Sequence, residues 1–194
     1  VLDAAGRPLA PTSVARALAL LSAGKAERVS DDPLTIRLPY AVEIPVPQGV
    51  DQAPPEDYAG QPLLLHICCG PCATYSVRRL RELRWHVEGF WFNPNIHPYS
   101  EHERRRQALE AYAGRIALPL QQADGYEISA FFRRVAGHEG LGERCALCYR
   151  TRRERTAEEA ARRGFAAITT TLLISPYQDR AAIVRIGEEV AAAH

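Results

Sequence analysis

The chain has 194 residues, of which 46% are hydrophobic and 24% charged, and its formal net charge at pH 7 is +1. This composition is typical of a folded globular protein, and the length allows one domain with an appendage or two small domains. The near-neutral charge gives no global positive field, so contact with a nucleic acid would require a local basic patch. Because no apolar run has the length of a membrane span and no secretory leader is evident, we expect a cytoplasmic protein without a membrane partner.

Residues 1–44 are predicted to form a small unit of their own. Thr12 is a suitable N-cap for a helix that Gly24 would end, and residues 34–38 alternate polar and apolar side chains like a half-buried strand. The segment 45–61 contains four prolines and little apolar periodicity, which predicts a linker. Residues 62–194 are then expected to form the main domain.

Strands and helices alternate along this main domain. Strands are predicted at 63–67, 87–92, 116–120 and 166–173. Helices are predicted at 73–83, 100–113, 126–136, 144–163 and 179–194, the second opened by a capping box of Ser100 and Glu103. Such alternation predicts an α/β fold, a Rossmann-like or HUP-like parallel sheet covered by helices. Ligands of these folds bind at the carboxyl ends of the strands.

Five cysteines fall into two groups. The first, HICCGPC at 66–72, follows an apolar strand and places Cys68, Cys69 and Cys72 close together. Its last four letters match a thioredoxin dithiol, in which a helix N-terminus lowers a thiol pKa. The second group is Cys145 and Cys148, whose i, i+3 spacing puts both thiols on one helix face. Two such pairs commonly supply four sulfurs to zinc or to an iron–sulfur cluster, and the surplus fifth thiol favours iron.

Other polar side chains are candidates for ligand binding at the same edge of the sheet. The loop after the second predicted strand carries Asn93, Asn95, His97 and Tyr99, although Asn and Pro also simply build turns. Arg104 lies on the next helix, where a solvated face is the alternative. Further candidates follow the second cysteine pair and the last strand: Arg150, Arg152, Arg153 and Tyr177. His66, on a buried strand, is predicted to be a core histidine rather than a ligand.

Several separated motifs together resemble the QueH family of epoxyqueuosine reductases. They are LLLHICCGPC, FNPNIHP with a following helix that contains Glu103 and Arg104, CALCYRTR, and TTTLLISPYQ. They agree with the family in order and spacing over about residues 62–190. The resemblance implies an iron–sulfur oxidoreductase that reduces the epoxide of epoxyqueuosine in a tRNA anticodon loop to queuosine, the last step of queuosine biosynthesis.

The resemblance also implies a [4Fe–4S] cluster and an additional iron ion. By position, Cys68, Cys69, Cys145 and Cys148 would hold the cluster, and Cys72 would serve the additional iron. Catalytic roles are then expected for Cys72, Tyr177 and His97. The tRNA would be bound by Asn93, Asn95, Arg104, Arg150, Arg152 and Arg153, with Trp91 and Tyr177 as stacking candidates. The electron donor is an unidentified partner.

The ends of the chain depart from this family. Its members usually continue past the final helix, so we expect the domain to be incomplete at its C-terminus. Residues 1–38 instead resemble the RRXRR or PLMP-type module found ahead of some nucleases, and an accessory nucleic-acid role rests on that likeness alone. Two alternative functions stay open: a non-catalytic, metal-stabilised RNA-binding protein and a thioredoxin-like dithiol reductase.

Overall fold

The structure is a computed structural model that describes residues 1–6, 9, 12–41, 58–140 and 142–194. The chain divides into two compact units, Val1–Gln52 and Ala53–His194. Most of the predicted linker, 45–61, lies outside the described residues, as does the end of the predicted N-terminal module at residue 44. Those boundaries therefore stay predictions.

The first unit contains helix α1 (Val14–Ser22) and an antiparallel pair of strands, β1 (Glu27–Asp31) and β2 (Leu34–Arg37). Ser13, not Thr12, caps α1, since its side chain accepts the backbone N–H of Arg16 at 3.3 Å. Strand β2 was predicted, but β1 was not, because its residues are mostly polar and exposed. Its backbone partner in β2 decides its conformation.

A parallel sheet of four strands forms the centre of the second unit, in the order β5, β4, β3, β6. These strands are β3 (Pro62–His66), β4 (His86–Trp91), β5 (Leu120–Gln122) and β6 (Ala167–Thr170). The chain builds the sheet from β3 outwards to β5 and then returns to the other side of β3 with β6. The predicted α/β fold with a parallel sheet is confirmed.

Helices cover both faces of this sheet. They are α2 (Gly70–Glu82), α3 (Tyr99–Arg115), α4 (Ile128–Val135), α5 (Glu143–Arg163) and α6 (Arg180–Ala192). Alternate side chains of β3 point to opposite faces, as the pleat requires. Leu63 and Leu65 pack against α2 and α3, whereas Leu64 packs against Ala160 of α5. A strand buried on both sides explains the continuous apolar run in its sequence.

Three predicted details are wrong. The capping box is absent, since α3 begins at Tyr99 after Pro98 without a side-chain cap, and the Glu103 carboxylate binds Arg106 instead. The third strand of the sheet begins at Leu120 because the chain is still turning at Ala117, whose φ is 48°. The last strand ends at Thr170, and residues Thr171–Ile174 form a 3-10 helix.

Long helix α5 ends as predicted at Gly164, which has a φ of 75° in the left-handed region that glycine favours. Among the described residues, none of the helices combines the length and the apolar character needed to cross a lipid bilayer.

We predict that Leu65→Ala destabilises the protein by about 2–5 kcal/mol. Leu65 is 0% exposed at the centre of the sheet, so truncation leaves a cavity that neighbouring strands cannot collapse to fill. Urea unfolding followed by far-UV circular dichroism measures the change. Leu173→Ala, the same change at an exposed position, should alter the free energy of unfolding by only about 0.5 kcal/mol. Equal effects of the two substitutions would contradict the assignment of β3 to the core.

Candidate metal centre

The first cysteine group lies at the point where the strand order of the sheet reverses, between β3 and β6. Cys68 and Cys69 follow the end of β3, and Thr171 follows the end of β6, the strand on its other side. The backbone N–H of Cys68 donates to Thr171 Oγ1 at 3.0 Å, and this hydroxyl donates to Cys68 Sγ at 3.3 Å. The crevice at such a switch point is the usual ligand site of a doubly wound sheet.

Three thiols converge in this crevice. The Sγ atom of Cys69 lies 4.0 Å from that of Cys68 and 3.1 Å from that of Cys72, and all three lie within 4.8 Å of one another. Cys69 is the N-cap of α2 and Cys72 lies in its first turn. Helix α2 begins at Gly70, three residues earlier than predicted, so two of the thiols lie at its N-terminal end.

Proximity also sets the acidity of these thiols. Hydrogen bonds from Cys68 and Cys72 lower the pKa of Cys69, because they stabilise its thiolate. The pKa of Cys72 is raised by its hydrogen bonds to Cys68 and Cys69 and by burial. Ionisation of one thiol opposes ionisation of the other two, and a cation between the sulfurs would favour the thiolate form of all three. A soft metal ion is the cation that thiolates prefer.

The second cysteine pair faces the same crevice from α5. A cavity of about 520 Å³ is lined by all five cysteines, and none of the five forms a disulfide. Cys145 packs against the same apolar cluster as Cys68. Burial raises the pKa of Cys148, and the guanidinium of Arg152 opposes this effect. Both cysteine groups therefore line one cavity, and the sulfurs of Cys68, Cys69 and Cys72 lie close enough together to bind one thiophilic metal centre.

Arg152 contacts the second pair directly. Its Nε donates to the carbonyl oxygen of Cys148 at 3.0 Å, and its Nη2 donates to Cys148 Sγ at 3.2 Å. The side chain is buried and lines the cavity. Arg152 was predicted to bind tRNA, and that role stays a prediction; the structure shows two of its guanidinium nitrogens bound to Cys148.

The two asparagines of the loop after β4 line the cavity as well. Asn93 is buried, and its Nδ2 donates to the carbonyl oxygen of Ile67 at 2.9 Å, which ties this loop to the cysteine loop. The Oδ1 atoms of Asn93 and Asn95 are buried without a partner among the described residues. Unpaired buried acceptors of this kind are available to a ligand in the cavity.

Other predicted site residues do not line this cavity. His97 is exposed and lies edge-on to Phe132 at 5.4 Å between ring centroids. Tyr177 is 93% exposed. Arg104 and Arg150 are engaged in ion pairs with Glu101 and Glu189. The roles assigned to these residues stay predictions.

Two further candidates are buried away from the cavity. Arg153 packs its guanidinium against Gly187 of α6, and its Nε and Nη1 have no partner among the described residues. Trp91 is 2% exposed in the core beneath α3, so its ring face cannot stack on a base in the cysteine cavity, and that expectation is wrong. His66 is confirmed as a core histidine. Its two ring nitrogens lie 2.8 Å from Thr170 Oγ1 and 3.2 Å from the carbonyl oxygen of Phe92.

His66 is uncharged inside the domain. Burial, with the positive charges of Arg152 and Arg153 as further causes, lowers its pKa to about 3. A neutral imidazole therefore lies directly beneath the cysteine loop.

Several cavity residues were missed in the sequence. They are Ile96, Arg105, Phe131, Glu139, Gly140, Arg144, Tyr149, Thr171, Leu172 and Gln178. Tyr149 could have been found, since Cys145, Cys148, Tyr149 and Arg152 follow the i, i+3, i+4, i+7 spacing of one helix face. The exposed Arg105 carries no such signal, because it is one of three consecutive arginines and only packing decides which of them faces the cavity.

Comparison with known protein families identifies one match. The family model "Epoxyqueuosine reductase QueH" matches residues 63–194, which include all five cysteines and both asparagines of the cavity.

Curated relatives that bear the name epoxyqueuosine reductase QueH match the same part of the chain. The protein from Thermotoga maritima is 35% identical over 133 residues, which cover 66% of this chain and 67% of that protein. The protein from Dehalococcoides mccartyi is 34% identical over 116 residues, covering 60% and 63%. The protein from Helicobacter pylori is 35% identical over 137 residues, covering 68% and 37%. The chain thus spans only part of these relatives, from 37% of the length of the Helicobacter pylori protein to 67% of that of the Thermotoga maritima protein. With the family model matching most of its length, this chain belongs to the epoxyqueuosine reductase QueH family.

Proposed function

We propose that this chain reduces the epoxide of epoxyqueuosine in tRNA to the alkene of queuosine. The observation that carries the proposal is the convergence of five thiols on one cavity at the switch point of the sheet, in a chain whose curated relatives are named epoxyqueuosine reductases. Both C–O bonds of the epoxide break, and the oxygen leaves as water. The reaction takes up two electrons and two protons, and the electrons come from an external one-electron donor.

The cysteines are proposed to hold a [4Fe–4S] cluster and an additional iron ion. Cys68, Cys69, Cys145 and Cys148 would bind the cluster, and Cys72 the additional iron. When bound, this group supplies single electrons and a Lewis acid for the departing oxygen. The fit is supported by the donor set, because thiolates are the usual ligands of such clusters, and by the lowered pKa of Cys69.

The remaining cavity residues are proposed to orient the substrate. Asn93 lines the cavity and is held by the Ile67 carbonyl, so its side-chain amide is fixed in the wall against which the modified base would lie. Asn95 offers a second buried acceptor. The exposed side chains of Arg105 and Arg144 line the same cavity, where they can bind phosphates of a single-stranded loop.

Arg152 is proposed to be a positioning residue for the cysteine site rather than a tRNA ligand. Its guanidinium fixes the carbonyl and the sulfur of Cys148 simultaneously. A hydrogen bond to a coordinating sulfur stabilises the more negative, reduced state of an iron–sulfur centre.

The reaction itself tests the proposal. Protein reconstituted anaerobically with iron and sulfide, and reduced with dithionite, should convert tRNA that contains epoxyqueuosine to tRNA that contains queuosine. Mass spectrometry of the nucleosides measures the loss of one oxygen atom. Bound metal that is redox-silent, with no conversion, would favour a metal-stabilised RNA-binding protein. Conversion by metal-free protein that requires Cys69 and Cys72 alone would favour a thioredoxin-like dithiol.

Serine substitutions distinguish the roles of the cysteines. Cys145→Ser is expected to abolish most of the visible absorption of the cluster, because it removes one of four ligands. Cys72→Ser is expected to keep most of that absorption and to lower the iron content by one ion per chain. Iron and sulfide analysis with EPR spectroscopy measures both effects. Loss of the whole cluster in Cys72→Ser would assign Cys72 to the cluster instead.

Arg152→Gln is expected to lower the reduction potential of the bound cluster by on the order of 60 mV, the shift that corresponds to a tenfold change in a one-electron equilibrium. A redox titration monitored by EPR measures it. The matched control is Arg150→Gln, which removes the same charge from the same helix at a side chain paired with Glu189. A shift of equal size in both variants would mean that the Cys148 contact is not the cause.

A further inference from the structure

A second pocket lies beside the end of β4 and the first turns of α3. We call it the aromatic pocket, and its volume is about 310 Å³. It is lined by Trp91, Tyr99, His102, Glu103, Arg106, Gln122, Ala123, Gly125 and Tyr126. None of the functions proposed above uses it.

Four rings form the wall of the aromatic pocket. The ring of His102 lies 4.6 Å from that of Tyr126, 5.2 Å from that of Trp91 and 6.2 Å from that of Tyr99, between centroids. Tyr99 is nearly parallel to His102, with an interplanar angle of 20°, and is 58% exposed. An exposed ring at the edge of an aromatic wall is a stacking surface for another planar group.

Two buried polar atoms of this wall have no partner among the described residues. They are Nε1 of Trp91, which is 2% exposed, and Nδ1 of His102, which is 6% exposed. Burial lowers the pKa of His102, so its imidazole is neutral at physiological pH. An indole N–H only donates, whereas a neutral imidazole nitrogen donates or accepts according to its tautomer. Both atoms lie behind the accessible face of the wall, which leaves the rings themselves as the surface that a ligand meets.

The aromatic pocket has no unpaired positive charge among its lining residues that would attract a phosphate. Arg106, the cation that lines it, donates to Glu103 at 2.5 and 2.9 Å and also binds Glu110 and Gln122. Since two carboxylates already neutralise this guanidinium, the pocket offers aromatic faces and neutral polar atoms. A planar, uncharged nucleobase fits this chemistry better than an anion does.

The aromatic pocket and the cysteine cavity share their supporting elements. Asn93 lines the cysteine cavity and also a small pocket of about 10 Å³, which shares Trp91, His102 and Tyr126 with the aromatic pocket. The hydroxyl of Tyr126 donates to the carbonyl oxygen of Ile96 at 2.5 Å, which fixes the pocket wall to the same loop. Helix α3 presents Arg105 to the cysteine cavity and Tyr99 to the aromatic pocket.

We propose that the aromatic pocket binds an unstacked nucleobase next to the reacting one in the RNA loop. This inference rests on the proposed function, because it takes the substrate to be a single-stranded loop. Proteins bind such loops by stacking splayed bases on aromatic rings and by hydrogen bonds to their edges. Tyr99, the exposed ring of the wall, stacks on the neighbouring base. In this arrangement the RNA loop crosses α3, with its modified base in the cysteine cavity and the neighbouring base in the aromatic pocket.

The test measures binding of an anticodon stem-loop RNA that contains epoxyqueuosine, with the iron-loaded protein under anaerobic conditions. Tyr99→Ala is expected to raise Kd about tenfold, whereas Tyr99→Phe, which keeps the ring, stays within about twofold of the unaltered protein. Tyr75→Ala, which truncates an exposed tyrosine of α2 outside the pocket, is the matched control and should leave Kd unchanged.

A second RNA series identifies the contacted base. In these RNAs one nucleotide adjacent to epoxyqueuosine is abasic, and on one of them Tyr99→Ala and the unaltered protein should bind equally well. The chain has two tryptophans, so in a Trp85→Phe background the fluorescence of Trp91 should change when the intact RNA binds. Unchanged Kd in Tyr99→Ala, or a penalty that persists on every abasic RNA, would overturn the inference.

The inference and the proposed function fail in different ways. If the unaltered protein converts epoxyqueuosine but Tyr99→Ala binds every RNA normally, the pocket has been misassigned and the reductase proposal stands. If binding depends on Tyr99 and on one adjacent base while no conversion occurs, the pocket is supported and the reductase proposal is wrong.

Discussion

The parallel pairing of β3 on both of its edges is the constraint on which the candidate site depends. Strand β3 pairs with β4 on one side and with β6 on the other, so the loops that follow these three strands meet at one edge of the sheet. The segment after β3, including the first turn of α2, supplies three cysteines. The loop after β4 supplies the asparagines, and the 3-10 helix after β6 supplies Thr171. Strand pairing alone brings these loops together, and it does not depend on which side chains the loops carry.

Helix α5 completes the site through its own amphipathic pattern. One face of its first three turns carries Cys145, Cys148, Tyr149 and Arg152, all of which line the cavity. Further along, Ala157 and Ala160 pack against the apolar clusters beneath the sheet. The same packing that stabilises the domain thus fixes the distance of the second cysteine pair from the sheet edge. A metal centre in the cavity would then link α5 to the cysteine loop after β3.

Two buried arginines lie near the buried histidine beneath the cysteine loop. Arg152 and Arg153 are both buried. Burial of His66 is the main cause of its lowered pKa, and the charges of Arg152 and Arg153 lower it further, so this imidazole is neutral. Neither guanidinium has a carboxylate partner among the described residues. Since a buried cation is costly unless an anion compensates it, Arg152, which lines the cavity, favours thiolates there. The contact between Arg152 and Cys148 Sγ is one place where such compensation is visible.

The sequence by itself determined the α/β class and the alternation of strands and helices in the second unit, because apolar periodicity is a local property. It also predicted that both cysteine groups lie at the carboxyl ends of the strands, and in the structure both line one cavity. It could not determine which of three consecutive arginines lines the cavity, nor that Trp91 is buried while Tyr99 is exposed in a separate pocket. Those outcomes depend on how α3 is rotated against β4 and β5. The register of a helix on a sheet is decided by packing between segments far apart in the chain, and only the tertiary structure contains that information.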